Sequence, residues 1–123
     1  MENTGSRYFK DAEFACKCGC GRGMKDMDQS FMNRLDMLRT SYGLPMILTS
    51  AFRCNNWNMK CKGEPKSMHL QGKAVDIACA ESDKRHKIVS IATSLGMSVG
   101  CDGSFVHVDS RDGTKVMWLY PVK

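Results

Sequence analysis

Apolar residues in the first half of the chain recur every three or four positions, as they do along one face of a helix. Between residues 28 and 42 the recurring residues are Phe31, Leu35, Leu38 and Tyr42. This spacing is typical of an amphipathic helix, and Gly43 followed by Pro45 is a common helix stop. We therefore predict a helix from Asp28 to Tyr42.

A second helical pattern lies in the C-terminal half of the chain. Its apolar stripe consists of Ile88, Ile91, Ala92 and Leu95. Ser82 or Asp83 can cap the first turn of this helix, and Gly96 can end its last turn. The pattern therefore predicts a helix from Ser82 or Asp83 to Leu95.

Four short segments have the composition and the boundaries of β-strands. They are residues 46–50, 74–78, 105–109 and 116–120. The pair Asp112–Gly113 favours a tight turn between the last two strands. The stretch from Cys54 to Lys66 has no periodicity and is expected to be a long surface loop. This order of elements predicts an α+β domain in which helices pack on one antiparallel sheet.

The size and composition of the chain fit one globular domain over residues 1–123, and no repeat or linker divides it. The net charge is +5, but the basic residues are scattered and do not form the run expected of a nucleic-acid-binding arm. Residues 1–10 are polar, and no apolar run is long enough to span a bilayer. We therefore expect synthesis in the cytoplasm without a signal peptide, no membrane insertion and no nucleic-acid partner.

The chain contains seven cysteines, an odd number that argues against a fully paired disulfide framework and favours reduced thiols. Cys16, Cys18 and Cys20 are spaced closely enough to converge on one metal. Together with Cys54 or Cys61 they can form a structural zinc site. The alternative is that these cysteines are small, partly buried residues without a metal.

The segment 67–76 places an imidazole and a carboxylate on either side of a glycine turn, which can fold His69 back against Asp76. Because Asp76 lies on a predicted buried strand, its charge needs a partner or a metal. Strand alternation puts His107 on one face with Asp109. Two histidines and one carboxylate leave a fourth position for water, which is typical of a catalytic zinc. We therefore predict a hydrolytic zinc site at His69, Asp76 and His107, although each residue alone is also consistent with an ordinary core or surface role.

These segments resemble the family of zinc D-Ala-D-Ala carboxypeptidases and L-alanyl-D-glutamate endopeptidases over about residues 9–120. The family pattern of Ser-x-His, Gly, Ala and Asp is matched by Ser67, His69, Gly72, Ala74 and Asp76. The family's later histidine and its arginine after a short strand are matched by His107 and Arg53. Small phage-type members begin with Glu-Phe-x-Cys, as residues 13–16 do here. The resemblance implies a hedgehog/D-Ala-D-Ala peptidase fold with one catalytic Zn²⁺ ion.

One position departs from the pattern of the larger family members. They carry an acidic general base three residues before the final histidine, where this chain has Ser104. Asp109, on the same face as His107, is the first candidate to replace that base, and Asp102 in a glycine-flanked turn is the second. Either carboxylate is equally suited to orienting an imidazole from behind.

The resemblance also implies roles at the substrate. Arg53 is expected to bind a substrate carboxylate or to stabilise the developing oxyanion, because its guanidinium has a fixed charge and forked donors. Ser67 is expected to contact the substrate or to orient a metal ligand. Trp118 or Trp57 is expected to form a wall of the cleft.

We therefore expect a monomeric zinc peptidase that hydrolyses amide bonds in the stem peptides of bacterial peptidoglycan. It would act either as an endolysin-type endopeptidase or as a D,D-carboxypeptidase, and a phage lysis system would release it to the cell wall. One alternative is a non-catalytic, zinc-dependent module of the same fold that binds cell wall or protein, which the serine at position 104 favours. Another is a cysteine-zinc module that binds nucleic acid, which the basic charge favours.

Overall fold

A five-stranded mixed sheet forms the centre of the computed structural model, which describes residues 3–121. The strands within this range are β1 Leu48–Ser50, β2 Ala74–Ala78, β3 Ser98–Cys101, β4 Phe105–Asp109 and β5 Met117–Leu119. Their order across the sheet is β1-β2-β4-β3-β5. Neighbouring strands are antiparallel except that β5 runs parallel to β3.

Helices and short turns connect the strands. The α-helices in the described part are α1 Asp11–Phe14, α2 Gln29–Tyr42, α3 Asn55–Lys60 and α4 Ser82–Ser94, and 3₁₀ turns lie at Met24–Asp26 and Met68–Gln71. The carboxylate of Asp28 caps α2 by accepting a hydrogen bond from the backbone N–H of Phe31, at 2.9 Å. Gly43, in the left-handed region, ends this helix. No helix within residues 3–121 is long and apolar enough to cross a membrane.

The hydrophobic core lies between the long helices and one face of the sheet. Strand residues that face the core are Val75, Ile77, Val99, Val106 and Val108. The apolar stripes of α2 and α4 pack against the same core, and α4 also contacts β3 and β4. Because alternate strand residues point to opposite faces, this packing leaves the other face to the polar residues Asp76 and His107.

The α+β fold class predicted from the sequence is confirmed, and the bounds of β2 and β4 agree with the prediction. The long helices also lie where they were expected. The predicted cap of α4 was wrong: its N-cap is Glu81, which makes no side-chain capping bond, so neither Ser82 nor Asp83 caps the helix.

Three local predictions differ from the structure. The stretch from Cys54 to Lys66 is not wholly a loop, because α3 forms within it. The sheet is mixed and not wholly antiparallel, since the turn at Asp112–Gly113 leads β5 past β4 to the outer edge beside β3. Strand β3 itself was not predicted; its small residues lack alternation, and its pairing on both sides defines it.

We expect alanine at Gly72 to destabilise the fold more than alanine at Gly43. Both glycines have positive φ, +68° and +77°, so alanine costs about 1–2 kcal/mol at either site. At Gly72 the added Cβ would also meet the backbone of Asp26 and Met27, whereas at Gly43 it would meet open space. This overpacking adds about 1–3 kcal/mol for Gly72→Ala. Urea unfolding of both variants measures the difference, and equal losses would contradict the rigid contact between Gly72 and Asp26.

Candidate metal centre

The polar face of the sheet carries one row of paired residues. Cross-strand register places Ser50 beside Asp76, Asp76 beside His107, His107 beside Gly100, and Gly100 beside Trp118. Directly paired residues have their side chains on the same face. The row therefore runs across the sheet with Asp76 and His107 near its middle.

Three donor atoms converge at this point. The Oδ1 atom of Asp76 lies 3.2 Å from Nε2 of His69 and 3.0 Å from Nδ1 of His107. All three side chains are buried, and donor atoms of the group lie within 4.8 Å of one another. Zinc bonds of about 2.0–2.1 Å in tetrahedral geometry hold ligand atoms about 3.3–3.4 Å apart. The two spacings measured from Asp76 are therefore within a few tenths of an ångström of those in a zinc site.

The local chain around His69 fixes which ring nitrogen faces this point. The hydroxyl of Ser67 accepts a hydrogen bond from the backbone N–H of His69, at 3.2 Å, and caps the 3₁₀ turn Met68–Gln71. Nδ1 of His69 lies 2.7 Å from the carbonyl oxygen of Ala51. Because a carbonyl only accepts, Nδ1 carries the proton, and the lone pair of Nε2 is directed toward Asp76.

His107 is oriented from behind by a second carboxylate. Its Nε2 lies 2.8 Å from Oδ2 of Asp109, so Nε2–H donates and Nδ1 faces the site. Asp109 is fully buried and accepts further hydrogen bonds from the guanidinium of Arg111, at 2.7 and 3.0 Å, and from its backbone N–H. Both oxygens of Asp109 are therefore engaged behind His107. Two roles were expected of Asp109, general base and orientation of an imidazole. This arrangement suits the second role, with Asp109 orienting His107.

Contacts with neighbouring side chains keep both carboxylates ionised. Burial opposes ionisation of Asp76, but its close polar contacts with His107 and His69 outweigh burial and hold the pKa of Asp76 far below its usual range. Burial likewise opposes ionisation of Asp109, yet hydrogen bonds from His107 and Arg111 lower its pKa to about 2. Burial lowers the pKa of His69. Burial opposes protonation of His107, but its hydrogen bonds with Asp109 and Asp76 outweigh burial and raise its pKa. The ionised carboxylates and the neutral His69 are in the forms that bind a metal, whereas His107 would release a proton when a metal binds.

Arg53 lies next to the metal-binding residues and is held on several sides. Its Nη2 is 3.5 Å from Oδ2 of Asp76. Its Nε donates to the hydroxyl of Ser50, at 3.1 Å, and its Nη1 donates to Oδ1 of Asn58, at 3.3 Å. The backbone N–H of Arg53 donates to the carbonyl of His69, at 3.2 Å. The guanidinium is thus fixed beside the site before any substrate binds.

A cleft of about 1240 Å³ opens over these residues. Residues 61–68 form one wall, and residues 118–121 form another. The expected site residues that line this cleft are Arg53, Trp57, Ser67, His69, Asp76, Asp102, His107 and Trp118. Asp109 does not line it.

Trp118 joins the site through the parallel pairing of β5. Its ring centroid lies 5.0 Å from that of His107 and 6.0 Å from that of Tyr120. It packs over Gly100, where a side chain would collide with the indole. The guanidinium of Arg111 also lies over the indole, 5.0 Å from the ring centroid. Trp118 therefore packs closely against the sheet and forms a wall of the cleft beside His107.

Several contributors to the site were not predicted from the sequence. Asn58 on α3 is buried and positions Arg53. Arg111 holds Asp109, and Tyr120 and Glu64 line the cleft. Arg111 lies two residues after Asp109, and this closeness in sequence was the signal for their ion pair. Asn58 carried no comparable signal, because its role depends on a helix that the sequence pattern does not indicate.

A family model described as Peptidase M15 matches residues 7–109 of the chain. This range contains the three candidate metal-binding residues and ends at Asp109. The match covers most of the chain. Of the five strands, it leaves out only β5. No curated protein sequence matches the chain.

We expect Asp109→Asn to weaken zinc binding by about 10–100-fold, because losing a carboxylate behind a histidine ligand removes its orientation and lowers its basicity. Competition with a chromophoric chelator measures the affinity. Asp112→Asn is the matched control, since Asp112 is an exposed carboxylate in the following turn. An unchanged affinity in Asp109→Asn would contradict the orienting role of this residue.

Proposed function

The chain belongs to the Peptidase M15 family, and on this premise we propose that it hydrolyses amide bonds in the stem peptides of bacterial peptidoglycan. Membership in this family of zinc D-Ala-D-Ala carboxypeptidase type indicates a metallopeptidase. The observation that carries the proposal is the convergence of His69, Asp76 and His107 on one point at the floor of an open cleft.

The donor set suits a catalytic metal and not a closed structural one. Two imidazoles and one carboxylate provide three ligands, and the cleft leaves the fourth side open to water or substrate. Zinc, when bound there, would polarise the scissile carbonyl and lower the pKa of a water molecule toward neutrality. The surrounding residues would then position the substrate and move the proton.

Arg53 would bind a negative charge of the substrate or of the transition state. Its guanidinium is always protonated and offers planar, paired donors that match a carboxylate. Because Ser50 and Asn58 already fix it, little side-chain entropy would be lost when a substrate binds. Its distance of 3.5 Å from Asp76 places this charge beside the proposed metal ligands.

Asp102 is our candidate for the general base. Ser104 stands where larger family members carry the acid, and both its N–H and its hydroxyl donate to Oδ2 of Asp102, at 3.0 and 2.8 Å. The turn between β3 and β4 thus holds a carboxylate two residues from the usual position. Of the described residues that line the cleft, Glu64 and Asp102 are the carboxylates besides Asp76. Asp109 is assigned to positioning His107 instead.

The cleft has features that suit a carboxylate-bearing peptide. Basic side chains at its lining are Lys17, Arg53, Lys62, Lys66 and Arg111, and a positive cleft attracts anionic substrates. Trp118 and Tyr120 form an apolar wall for the methyl groups of alanine residues. These features support a stem-peptide substrate for either an endolysin-type endopeptidase or a D,D-carboxypeptidase.

We also propose that the enzyme acts as a monomer at the cell wall. The described chain alone provides the metal donors and both walls of the cleft, which supports activity as a monomer. A peptidoglycan substrate implies action at the cell wall, and release by a phage lysis system remains our hypothesis for its delivery.

Zinc-loaded protein is expected to release free amino groups from purified peptidoglycan, and a chelator should abolish the release. His69→Ala should remove this activity because it removes a metal ligand, whereas His86→Ala on the exposed surface of α4 should retain it. Mass spectrometry of the fragments would identify the cleaved bond. Absence of release from every wall type, despite bound zinc, would contradict hydrolysis and favour a binding module of the same fold.

Asp102→Asn should lower kcat by about 10²–10⁴-fold, the usual contribution of a general base, while zinc content stays unchanged. Glu64→Gln is the matched variant, since it removes the other carboxylate of the cleft lining. Single-turnover kinetics on a defined stem peptide would compare them. Full activity in Asp102→Asn together with loss in Glu64→Gln would transfer the role to Glu64.

A further inference from the structure

Four cysteines from two distant parts of the chain meet on the surface beside the cleft. Cys16, Cys18 and Cys20 lie in the loop after α1, and Cys54 is the N-cap residue of α3. The sulfur atoms of these four residues all lie within 4.8 Å of one another. We propose that they hold a second, structural zinc ion as a tetrathiolate site.

The spacing of the sulfur atoms fits such a site. The distance from Cys16 Sγ to Cys18 Sγ is 3.4 Å, and Cys54 Sγ lies 3.7 Å from the first and 3.5 Å from the second. Zinc–sulfur bonds of about 2.3 Å in tetrahedral geometry require sulfur atoms about 3.8 Å apart. A disulfide requires about 2.05 Å, and all seven cysteines, which lie within the described range, are free thiols.

Core packing does not explain why these thiols meet. Cys16 is buried, but Cys18 and Cys20 are exposed to solvent. A thiol that stays exposed gains little hydrophobic stabilisation from contact with its neighbours, because that stabilisation grows with the area buried. The sequence left open whether these cysteines bind metal or are partly buried residues without one. The exposure of Cys18 and Cys20 supports the first alternative.

The backbone around the cluster is shaped to present sulfur atoms to a metal. The loop 16–22 is closed by a hydrogen bond from the N–H of Cys16 to the carbonyl of Arg22, at 2.8 Å, and turns at Gly19 and Gly21, which have φ of +81° and +86°. The N–H of Cys54 donates to Cys16 Sγ, at 3.4 Å, and the N–H of Trp57 donates to Cys54 Sγ, at 3.5 Å. Donors directed at sulfur stabilise thiolate ligands.

The choice of the fourth ligand also follows from the structure. Spacing in the sequence did not distinguish Cys54 from Cys61, but Cys54 belongs to the cluster and Cys61 does not. Cys61 is exposed, follows α3 and lines the cleft. It therefore serves as a natural control for the cluster.

The second zinc would stabilise the position of Arg53. The backbone N–H of Phe52 donates to the carbonyl of Phe14, at 3.3 Å, and that of Cys54 donates to Cys16 Sγ. Arg53 thus lies between two residues that bond to the N-terminal segment. A metal joining Cys54 to the loop 16–20 would fix this strip of backbone, and this consequence for catalysis rests on the proposed function. The metal site itself does not.

Metal content separates the two sites. A variant with His69→Ala and His107→Ala lacks two of the three catalytic ligands. We expect it to retain about one zinc ion per chain after gel filtration, as measured by mass spectrometry of the metal. This remaining zinc would belong to the cysteines. Adding Cys18→Ser and Cys20→Ser should abolish this zinc, whereas adding Cys61→Ser should not. A histidine variant that folds, as judged by circular dichroism, yet binds no zinc would overturn the proposal.

Cobalt provides a second readout that does not depend on any variant at the cysteines. Co²⁺ added to the metal-free histidine variant should produce strong sulfur-to-cobalt charge-transfer absorption and the visible bands of a tetrahedral site. The same thiols should resist alkylation until a chelator is added. Weak bands without charge transfer, or thiols lost to disulfides in the protein as isolated, would contradict a tetrathiolate metal site. Neither outcome depends on whether the protein hydrolyses peptidoglycan.

Discussion

The buried carboxylate of Asp76 is the constraint around which the polar side of this fold is built. It lies on a central strand of the sheet and is only 5% exposed, where an unpaired charge would be costly. His69, His107 and Arg53 all contact it, and each comes from a different part of the chain. The neighbouring residues of the same strand, Val75 and Ile77, face the hydrophobic core. Strand β2 therefore joins the core to the metal centre.

Each residue that contacts Asp76 is itself fixed from behind. The carbonyl of Ala51 sets the orientation of the His69 ring, Asp109 sets that of His107, and Asn58 holds Arg53. These supports are buried or lie on the backbone, so they change little when the cleft fills. A site supported in this way is organised before substrate binds, which lowers the cost of reaching the transition state. The backbone on either side of Arg53 is also held, at Cys54 by the bond to Cys16 Sγ of the cysteine cluster and at Phe52 by the bond to the carbonyl of Phe14.

Strong local patterns made much of this fold predictable. The apolar spacing of Phe31, Leu35 and Leu38 defined α2, and the alternation in β2 and β4 gave the bounds of both strands. The metal-binding residues could be proposed because a carboxylate on a buried strand requires a partner and the two histidines were suitable ones. The structure brings these three residues close enough together to hold a metal ion.

The parts that could not be predicted depend on contacts between distant residues. Helix α3 has six residues and no apolar periodicity, so its position beside Arg53 follows from tertiary contacts. Strand β5 lies beside β3 although the tight-turn residues before it favour a hairpin with β4, and this placement brings Trp118 against His107. Spacing alone also could not show that Cys54 joins the other thiols.

The central claim is that one zinc ion is held by His69, Asp76 and His107, and a crystal structure with anomalous data at the zinc edge tests it most directly. We expect an anomalous peak about 2.0–2.2 Å from Nε2 of His69, Nδ1 of His107 and a carboxylate oxygen of Asp76. A zinc-loaded crystal without a peak at this position, or with His107 bound through Nε2 and turned away from Asp109, would contradict it.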